Sequence, residues 1–338
     1  MRKILNILLG FCMSFLDLFQ GKDIVPLRNT KYFLDNGVYT SNLSNYSDTQ
    51  KQTEETFGFK WKKEDTFDRV QSLERMKKWL LDRYGDPQKW LRTVISPPLL
   101  LDAGCGAGMS GFEYWGENLD HIQYLGIDIS EAVYIAAHRA KKRELRNTAF
   151  LRSSVDNLPF TEPSFDIIFS EGVLHHTDST QNTFNHLCRF LKPNGIFMFY
   201  VYRKKGPIRE FTDDFIREKL QSVSPEVVWK ELEPLTHLGI ELGNLNVEVN
   251  IPQEIEILGI PAGKINIQRL FYWYIFKAFY DSNLSFSEMH HINFDWYAPQ
   301  NAHRHTIDEI HRWCVDNDLK IEQLKEELAG ITCIARKN

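Results

Sequence analysis

The chain has 338 residues, of which 43% are hydrophobic and 25% charged. These values are typical of globular proteins and exclude a disordered, collagenous or polytopic membrane protein, and the length predicts about two domains. The formal net charge of -5 provides no overall positive field, so we expect no nucleic-acid partner. The five cysteines include no C-x-x-C pair, which argues against a disulfide framework or zinc ribbon and favours the cytoplasm.

Residues 1–22 are predicted to form an amphipathic helix. The apolar stretch 4–19 is shorter than the roughly 20 residues that span a bilayer. Small or polar residues recur on one side of it, at Asn6, Gly10, Ser14 and Asp17. Two interpretations remain open: peripheral contact of residues 1–20 with the inner membrane face, or packing against protein, including a second copy in a homodimer. A cleaved signal is disfavoured because no A-x-A-like site follows.

An N-terminal cap is predicted over 23–97. It begins with a polar, turn-rich segment that extends to residue 63. A helix then runs from Asp65 or Thr66 to Tyr84, where Gly85-Asp86-Pro87 is expected to end it.

From residue 98 to 202, short apolar runs alternate with helical stretches, which is typical of a parallel sheet with crossover helices. The predicted strands are 99–101, 122–127, 149–152, 165–169 and 196–202, and the predicted helices are 109–117, 130–143 and 179–191. About a hundred residues without a clear pattern follow. A helix at 306–317 and strands at 320–324 and 331–336 then complete the pattern.

A glycine-rich loop, Asp102-Ala103-Gly104-Cys105-Gly106-Ala107-Gly108, links the first of these strands to a helix. Its glycines permit a tight turn and close approach of a ligand to the backbone, and the helix N-terminus adds unpaired N–H groups. Asp128 ends the next apolar run, where an acid can accept hydrogen bonds from two ribose hydroxyls. The sequence therefore predicts a site for an adenosine-type ligand at the carboxyl ends of the strands.

The spacing of the glycines selects among adenosine ligands. Dinucleotide folds prefer G-x-G-x-x-G, but Met109 stands where the last glycine would fall. D-x-G-x-G-x-G instead resembles motif I of the class I S-adenosylmethionine-dependent methyltransferases, of the methyltransferase type 11-like family. The further matching motifs are Leu158-Pro159-Phe160, Ser164-Phe165-Asp166, Gly172-Val173-Leu174-His175-His176 and Leu191-Lys192-Pro193-Asn194-Gly195. They occur in the order expected for that family, and residues 57–67 resemble a leader of one bacterial branch.

The resemblance covers 99–202, and the tail from 303 resembles the last helix and two strands of the same fold. It implies an α/β fold with a Rossmann-like, seven-stranded, mostly parallel sheet formed by 98–202 with 303–338. The N-terminal cap and a large insertion after strand five, 203–302, complete the expected architecture. The implied cofactor is S-adenosyl-L-methionine.

The cofactor-binding residues that the resemblance implies are Asp102, Gly104, Cys105, Gly106, Gly108, Asp128, Ile129, Ser154, Val155, Ser170 and Glu171. Asp102 is expected to hold the methionine ammonium and Asp128 the ribose, with Ser170 and Glu171 at the methionine end.

The adenine end departs from the family pattern. Family members often carry an acid that meets the adenine amino group, and this chain has Ser154 at that position. The resemblance therefore places Ser154 or the Val155 backbone at the adenine, with Asp156 as the nearest acid.

His175 and His176 follow strand four, near the expected position of the transferred methyl group, and are the candidate catalytic residues. Either could act as a general base, or both could hydrogen-bond the backbone and shape the pocket. Methyl transfer from an activated sulfonium needs little covalent help, and positioning of the acceptor supplies most of the acceleration.

The insertion 203–302 is expected to bind the acceptor and act as a lid. Arg203 and Arg209 are candidates for gripping an anionic group, and Trp296 and Tyr297 for contacting a ring or chain. The alternatives are an ion-paired helix face and an aromatic core. The histidines at 290, 291, 303 and 305 lack a ligand pattern, so we expect no metal.

The sequence thus favours a methyltransferase that acts on a small-molecule, glycan or lipid-precursor acceptor. O-methylation is favoured, with N- and C-methylation open. The alternatives are an NAD(P)-dependent oxidoreductase, against which the glycine spacing argues, and a non-catalytic protein that binds S-adenosylmethionine.

Overall fold

A computed structural model describes residue 19 and residues 24–27, 30–41, 47–61, 69–94 and 97–338. The predicted helix at 1–22 lies outside these residues except for Phe19, which is buried and accepts a hydrogen bond from the Tyr39 hydroxyl. Across the described ranges, no helix combines the length and apolar character needed to cross a membrane.

Twelve strands occur in the described part of the chain. They are β1 (Ile24–Leu27), β2 (Thr30–Asp35), β3 (Val38–Thr40), β4 (Leu99–Ala103), β5 (Gln123–Asp128), β6 (Thr148–Arg152), β7 (Phe165–Glu171), β8 (Leu191–Tyr202), β9 (Glu248–Ile251), β10 (Gly263–Asn266), β11 (Leu319–Glu326) and β12 (Gly330–Lys337).

The α-helices before the insertion are α1 (Asp48–Trp61), α2 (Val70–Tyr84), α3 (Pro87–Leu91), α4 (Met109–Trp115), α5 (Ala132–Lys142) and α6 (Thr180–Phe190). Those within and after it are α7 (Pro207–Leu220), α8 (Pro225–Glu231), α9 (Glu233–Leu245), α10 (Ile267–Tyr274), α11 (Phe286–Tyr297) and α12 (Ile307–Asp316).

Ten strands form one sheet in the order β1-β2-β3-β6-β5-β4-β7-β8-β12-β11. Strands β4 to β8 are parallel, β12 and β11 are antiparallel additions, and the seven predicted strands are all present. Strands β1 to β3 extend the sheet beside β6 through the pairing of Tyr39 with Leu151. The chain leaves β4 for β5 on one side and later returns to β7 on the other, which creates a ligand-binding crevice at the carboxyl ends. The fold is α/β and Rossmann-like.

Alternation along the strands supplies both faces of the sheet with apolar side chains, as expected for a parallel sheet covered on both sides. On one face, Leu101 and Ile168 pack in a cluster that includes Phe184 of α6. On the other face, Leu100 packs in a cluster that includes Phe112 of α4. The central strands β4, β5 and β7 are therefore buried on both faces, which holds their ends in defined positions.

Helix boundaries follow local capping chemistry. Ser179 and Thr306 accept hydrogen bonds from the backbone of α6 and α12, as expected for N-cap residues. Gly85 ends α2 at a positive φ of 75°, in agreement with the prediction. Helix α5 begins at Ala132, two residues after the predicted start at residue 130; the Ser130 hydroxyl donates to Asp128 and accepts the Ala132 N–H.

The insertion is mostly helical, with α7 to α11 and the two-stranded β9–β10 hairpin. A small core of its own includes Phe294, Trp296 and Tyr297. This core also contacts α1, since the Phe59 and Phe294 rings lie 5.6 Å apart. The insertion and α1 together cover the carboxyl edge of the sheet.

Candidate functional site

A cavity of about 600 Å³ lies at the carboxyl ends of β4, β5 and β7, where Asp102, Asp128 and Glu171 line it. This volume is within the range of roughly 300–1,000 Å³ that small-molecule sites occupy. Helices α1 and α2 and residues of the insertion form the opposite walls. The predicted cofactor residues that line the cavity are Asp102, Gly104, Cys105, Gly106, Asp128, Ile129, Ser154, Val155 and Glu171.

The glycine-rich loop forms the floor of the cavity. Gly104 has a φ of +83°, and a Cβ there would lie 2.2 Å from the Val173 side chain, so only glycine fits. Gly106 has a φ of +51°, and a Cβ there would lie 3.3 Å from the Trp61 indole nitrogen. Gly108 serves a different purpose: it precedes α4 in the left-handed region and does not line the cavity.

Asp128 closes the loop onto β5. One carboxylate oxygen accepts the Gly106 N–H at 2.8 Å, and the other accepts the Ser130 N–H and hydroxyl at 2.8 and 2.7 Å. A carboxylate has about four acceptor positions, so about one remains for a ligand hydroxyl. Burial raises the pKa of Asp128, and the hydrogen bonds from Ser130 and Gly106 oppose that increase. Asp128 therefore both shapes the loop and faces the cavity.

The acids at the ends of β4 and β7 are held by their own partners. Tyr124 donates a hydrogen bond to Asp102, and burial raises the pKa of that carboxyl to about 7. Glu171 accepts hydrogen bonds from Arg83 and Tyr84 of α2. Burial raises the pKa of Glu171, and Arg83 opposes the increase. A ligand ammonium beside Asp102 would favour its ionised form.

The polar residues predicted at the two ends of the cofactor differ in whether they reach the cavity. Ser170 is fully buried, donates to the Ala103 carbonyl at 2.9 Å and does not line the cavity, because alternate residues of β7 point to opposite faces. Ser154 lines the cavity, and its hydroxyl accepts the Asp156 N–H at 3.1 Å. Asp156 itself is bound by the Thr183 hydroxyl and is not among the lining residues.

The two candidate catalytic histidines have different surroundings. His176 lines the cavity, and its Nδ1 lies 2.6 Å from the Asn301 carbonyl. Burial lowers the pKa of His176 to about 4, so the ring is neutral at physiological pH. His175 is buried behind it, stacked on Tyr202 with ring centroids 3.6 Å apart, and does not line the cavity. Neither ring nitrogen of His175 has a hydrogen-bond partner among the described residues.

The four predicted acceptor-binding residues do not line the cavity. Arg209 is buried. Its guanidinium donates hydrogen bonds to the Asp213 carboxylate, at 2.6 Å, and to the Tyr272 carbonyl. The Trp296 indole and Tyr297 hydroxyl donate to the same Asp213 carboxylate, at 2.8 and 2.7 Å. These residues thus form the ion-paired, aromatic core that was the alternative interpretation.

Arg203 is likewise engaged away from the cavity. It pairs with Glu326 of β11 at 2.9 Å, at the edge of the sheet. Strand β8 ends at Tyr202, which lines the cavity, and the following residue points elsewhere.

Residues 99–239 match the family described as Methyltransferase domain. A phthiotriol/phenolphthiotriol dimycocerosates methyltransferase of Mycobacterium leprae is 26% identical over 138 residues, which are 41% of this chain and 50% of that protein. A malonyl-(acyl-carrier protein) O-methyltransferase of Legionella pneumophila is 31% identical over 105 residues, 31% of this chain and 36% of that protein. The chain thus spans about half the length of the curated relatives that it matches.

Residues 99–239 are thus similar to a methyltransferase domain, in agreement with the predicted resemblance to the class I S-adenosylmethionine-dependent methyltransferases. A solved structure, the 1,6-didemethyltoxoflavin-N1-methyltransferase of Burkholderia thailandensis, aligns with a TM-score of 0.46 and 13% identity. That alignment covers 94% of this chain and 100% of the other.

Several residues that line the cavity were not predicted from the sequence. They are Gln50, Thr53, Phe57, Lys60 and Trp61 of α1, Ser72, Arg75, Met76, Trp79 and Arg83 of α2, and Tyr272, Lys277, Phe279, Glu288, His291, Ile292 and Asp295 of the insertion. The family resemblance of 57–67 was the one available signal for α1. No local pattern separates the other residues from an ordinary helix face.

Proposed function

We propose that the protein transfers a methyl group from S-adenosylmethionine to a small-molecule, glycan or lipid-precursor acceptor, with oxygen as the favoured methylated atom. The observation that carries this proposal is the glycine-rich loop, closed on Asp128 and open to a cavity of about 600 Å³. The cavity extends from this loop to residues of the insertion, so donor and acceptor can share it.

The residues present fit such a donor. The absence of a side chain at Gly106 leaves room beside Trp61 that a Cβ would enter, which allows close approach to the loop backbone. Asp128 keeps about one acceptor position for a ribose hydroxyl. Asp102, buried and without a basic partner among the described residues, suits an ammonium group. When bound, S-adenosylmethionine supplies an electrophilic methyl group on a sulfonium.

His176 is the proposed proton acceptor for a hydroxyl substrate. A carbonyl oxygen can only accept, so the Asn301 carbonyl fixes the proton on Nδ1 and leaves the lone pair on Nε2. That lone pair can take the proton that an acceptor hydroxyl loses as its oxygen forms the new bond to carbon. His175, stacked on Tyr202, would position His176 and not touch the reacting atoms.

The relatives support transfer to oxygen or to lipid-related acceptors in general terms. One of them is described as acting on phthiotriol and phenolphthiotriol dimycocerosates and another as an O-methyltransferase. The aromatic side chains of Phe57, Tyr202 and Phe279 give the cavity apolar walls, which suit an acceptor with an apolar body.

Calorimetric titration of the full chain with S-adenosylmethionine, S-adenosylhomocysteine and NAD⁺ tests this proposal. We expect both adenosyl ligands to bind and NAD⁺ not to bind. The Gly106→Val variant should lose both ligands, because the larger side chain would fill the floor of the cavity next to Trp61.

The Gly58→Ala variant is a matched control, since a Cβ at Gly58 meets nothing within 4 Å. Binding of NAD⁺ in place of the adenosyl ligands would identify an oxidoreductase instead. Tight binding without methyl transfer to any acceptor in a broad panel would indicate a non-catalytic binding protein.

A further inference from the structure

The basic side chains around the cavity differ in how they are neutralised. Among the described residues, four lysines and arginines line it. Lys60 pairs with Asp295 at 2.7 Å, Arg75 with Asp281 at 3.4 Å, and Arg83 with Glu171. Lys277 is the fourth, and within the described ranges its ammonium forms no hydrogen bond or ion pair.

The chain holds Lys277 in place through its backbone. The Lys277 N–H donates to the Tyr297 hydroxyl at 2.8 Å, which fixes this segment against α11. The residue is 8% exposed, and its Nζ lies 4.7 Å from the centroid of the Trp296 ring. A buried ammonium that rests on an aromatic face lacks the hydrogen-bond acceptors that water would supply.

The contacts of Lys277 connect it to the end of β8. Trp296, beneath its ammonium, contacts Tyr202, with ring centroids 4.7 Å apart. Tyr202 ends β8, which is two strands from β4 in the sheet, whereas the loop follows β4 directly. The ammonium therefore belongs to the part of the cavity that the loop, Asp102 and Asp128 do not line.

We propose that Lys277 binds an ionised acidic group, a carboxylate or a phosphate monoester, of the acceptor. The inference rests on the proposed function, because it assigns this part of the cavity to the acceptor. The bound anion would supply the partner that Lys277 lacks, and Phe279, Tyr272 and Tyr202 would contact the apolar body of the same molecule. The acceptor class is therefore an amphipathic acid and not a neutral lipid or sugar.

The surrounding charges agree with this assignment. Asp213 is shared by Arg209, Trp296 and Tyr297, and Asp295 is paired with Lys60, so neither acid contacts the Lys277 ammonium. Burial lowers the pKa of Lys277 to about 7, with Arg209 and Arg217 adding to the decrease and Asp295 and Asp213 opposing it. An anion beside the amine favours its protonated form.

Fluorine NMR titrations test the proposal with defined probes. The probes are 4-fluorophenylacetate, 4-fluorophenyl phosphate and the neutral 4-fluorophenylacetamide, each added to the full chain with and without S-adenosylhomocysteine at pH 6.5. We expect at least one anion to bind ten-fold or more tightly than the amide. The two anionic probes separate a carboxylate preference from a phosphate preference.

The variants separate charge from structure. Lys277→Met should abolish the preference for the anion, whereas Lys277→Arg should retain most of it. Lys264→Met is the matched control, because Lys264 is an exposed lysine of the same insertion outside the cavity, and it should behave like the wild type. If Lys277→Met does not fold, acetylation of Lys277 by acetic anhydride is followed by mass spectrometry on the wild-type chain. The anionic probe should slow that reaction, and the amide should not.

Equal affinity of the wild type for anions and amide would overturn the proposal, and so would an anion preference that survives in folded Lys277→Met. The proposal would also be overturned if the anionic probe did not slow the acetylation of Lys277. Failure of the proposed function would be seen separately, because S-adenosylhomocysteine would then not bind in calorimetry. The titrations without S-adenosylhomocysteine would still measure the anion preference of Lys277.

Discussion

Asp128 shows how one side chain can have a structural and a binding role. Its carboxylate holds the Gly106 N–H and both donors of Ser130, so the loop conformation depends on it before any ligand binds. A ligand hydroxyl at the remaining acceptor position adds a charge-assisted hydrogen bond. Removal of the carboxylate should therefore affect ligand binding both directly and through the loop.

We expect Asp128→Ala to weaken binding of S-adenosylhomocysteine by about 1–3 kcal/mol, the usual loss for hydrogen bonds to a charged group. Ser130→Ala is the matched control, since it removes one hydroxyl from the carboxylate and leaves the acid in the cavity. Its affinity should stay close to that of the wild type. Calorimetry measures both variants, and an Asp128→Ala protein that is folded and binds normally would place the ribose elsewhere.

Some residues of the site could be predicted from sequence because their roles depend on neighbours in the chain. The glycines at 104 and 106 and the acid at 128 lie at strand ends, where the local pattern fixes their position. Lys277 could not be predicted from neighbouring residues in the chain. Its ammonium has no acidic partner among the described residues because the nearby acids, Asp295 and Asp213, pair with Lys60 and Arg209. Arg209 had the right chemistry for an anion, but Asp213, one helical turn later, neutralises it.

At the scale of the element, one buried acid contributes strongly to the contact between α7 and α11. Asp213 of α7 is 1% exposed. Its carboxylate accepts from Arg209 on the same helix and from Trp296 and Tyr297 of α11. It also lies 3.4 Å from the Lys277 N–H, so the network supports the cavity wall from behind.

We expect Asp213→Ala to lower the free energy of unfolding by about 3–5 kcal/mol, because it leaves Arg209 as an uncompensated buried charge. Glu218→Ala, an exposed position on the same helix, should change it by less than about 0.5 kcal/mol. Urea denaturation followed by tryptophan fluorescence checks both values. If Asp213→Ala were as stable as the Glu218 variant, the network would not hold the insertion together.

The elements of the sheet could be predicted because apolar strands and capped helices carry local signals. The helix at 179–191 and the strand at 165–169 both occur, with shifts of a residue or two at their ends. Strands β1 to β3 were not predicted, because their apolar runs are short and are interrupted by residues such as Pro26 and Gly37, and because only β3 pairs with the parallel core. The helices of the insertion were not predicted; α7, for example, buries Arg209, Asp213 and Arg217 on one face, and charged residues on a buried face give no apolar period.

At the scale of the whole molecule, the cavity has walls from three parts of the chain. The core supplies the loop and the strand ends, α1 and α2 cover it, and the insertion supplies the side that includes Lys277. The Lys60–Asp295 ion pair links α1 to α11 across this site, and both residues line the cavity. A ligand that fills the cavity therefore contacts all three parts at once, which couples its binding to their association.

A crystal structure of the full chain with S-adenosylhomocysteine tests most directly whether this one cavity is the methyl-transfer site. The account predicts density for the adenosine between Ser154 and Asp128 and for the homocysteine end beside Asp102. The sulfur should face the part of the cavity that His176 and Lys277 line. Density at any other place on the molecule, or a cavity that stays empty at saturating ligand, would contradict the account.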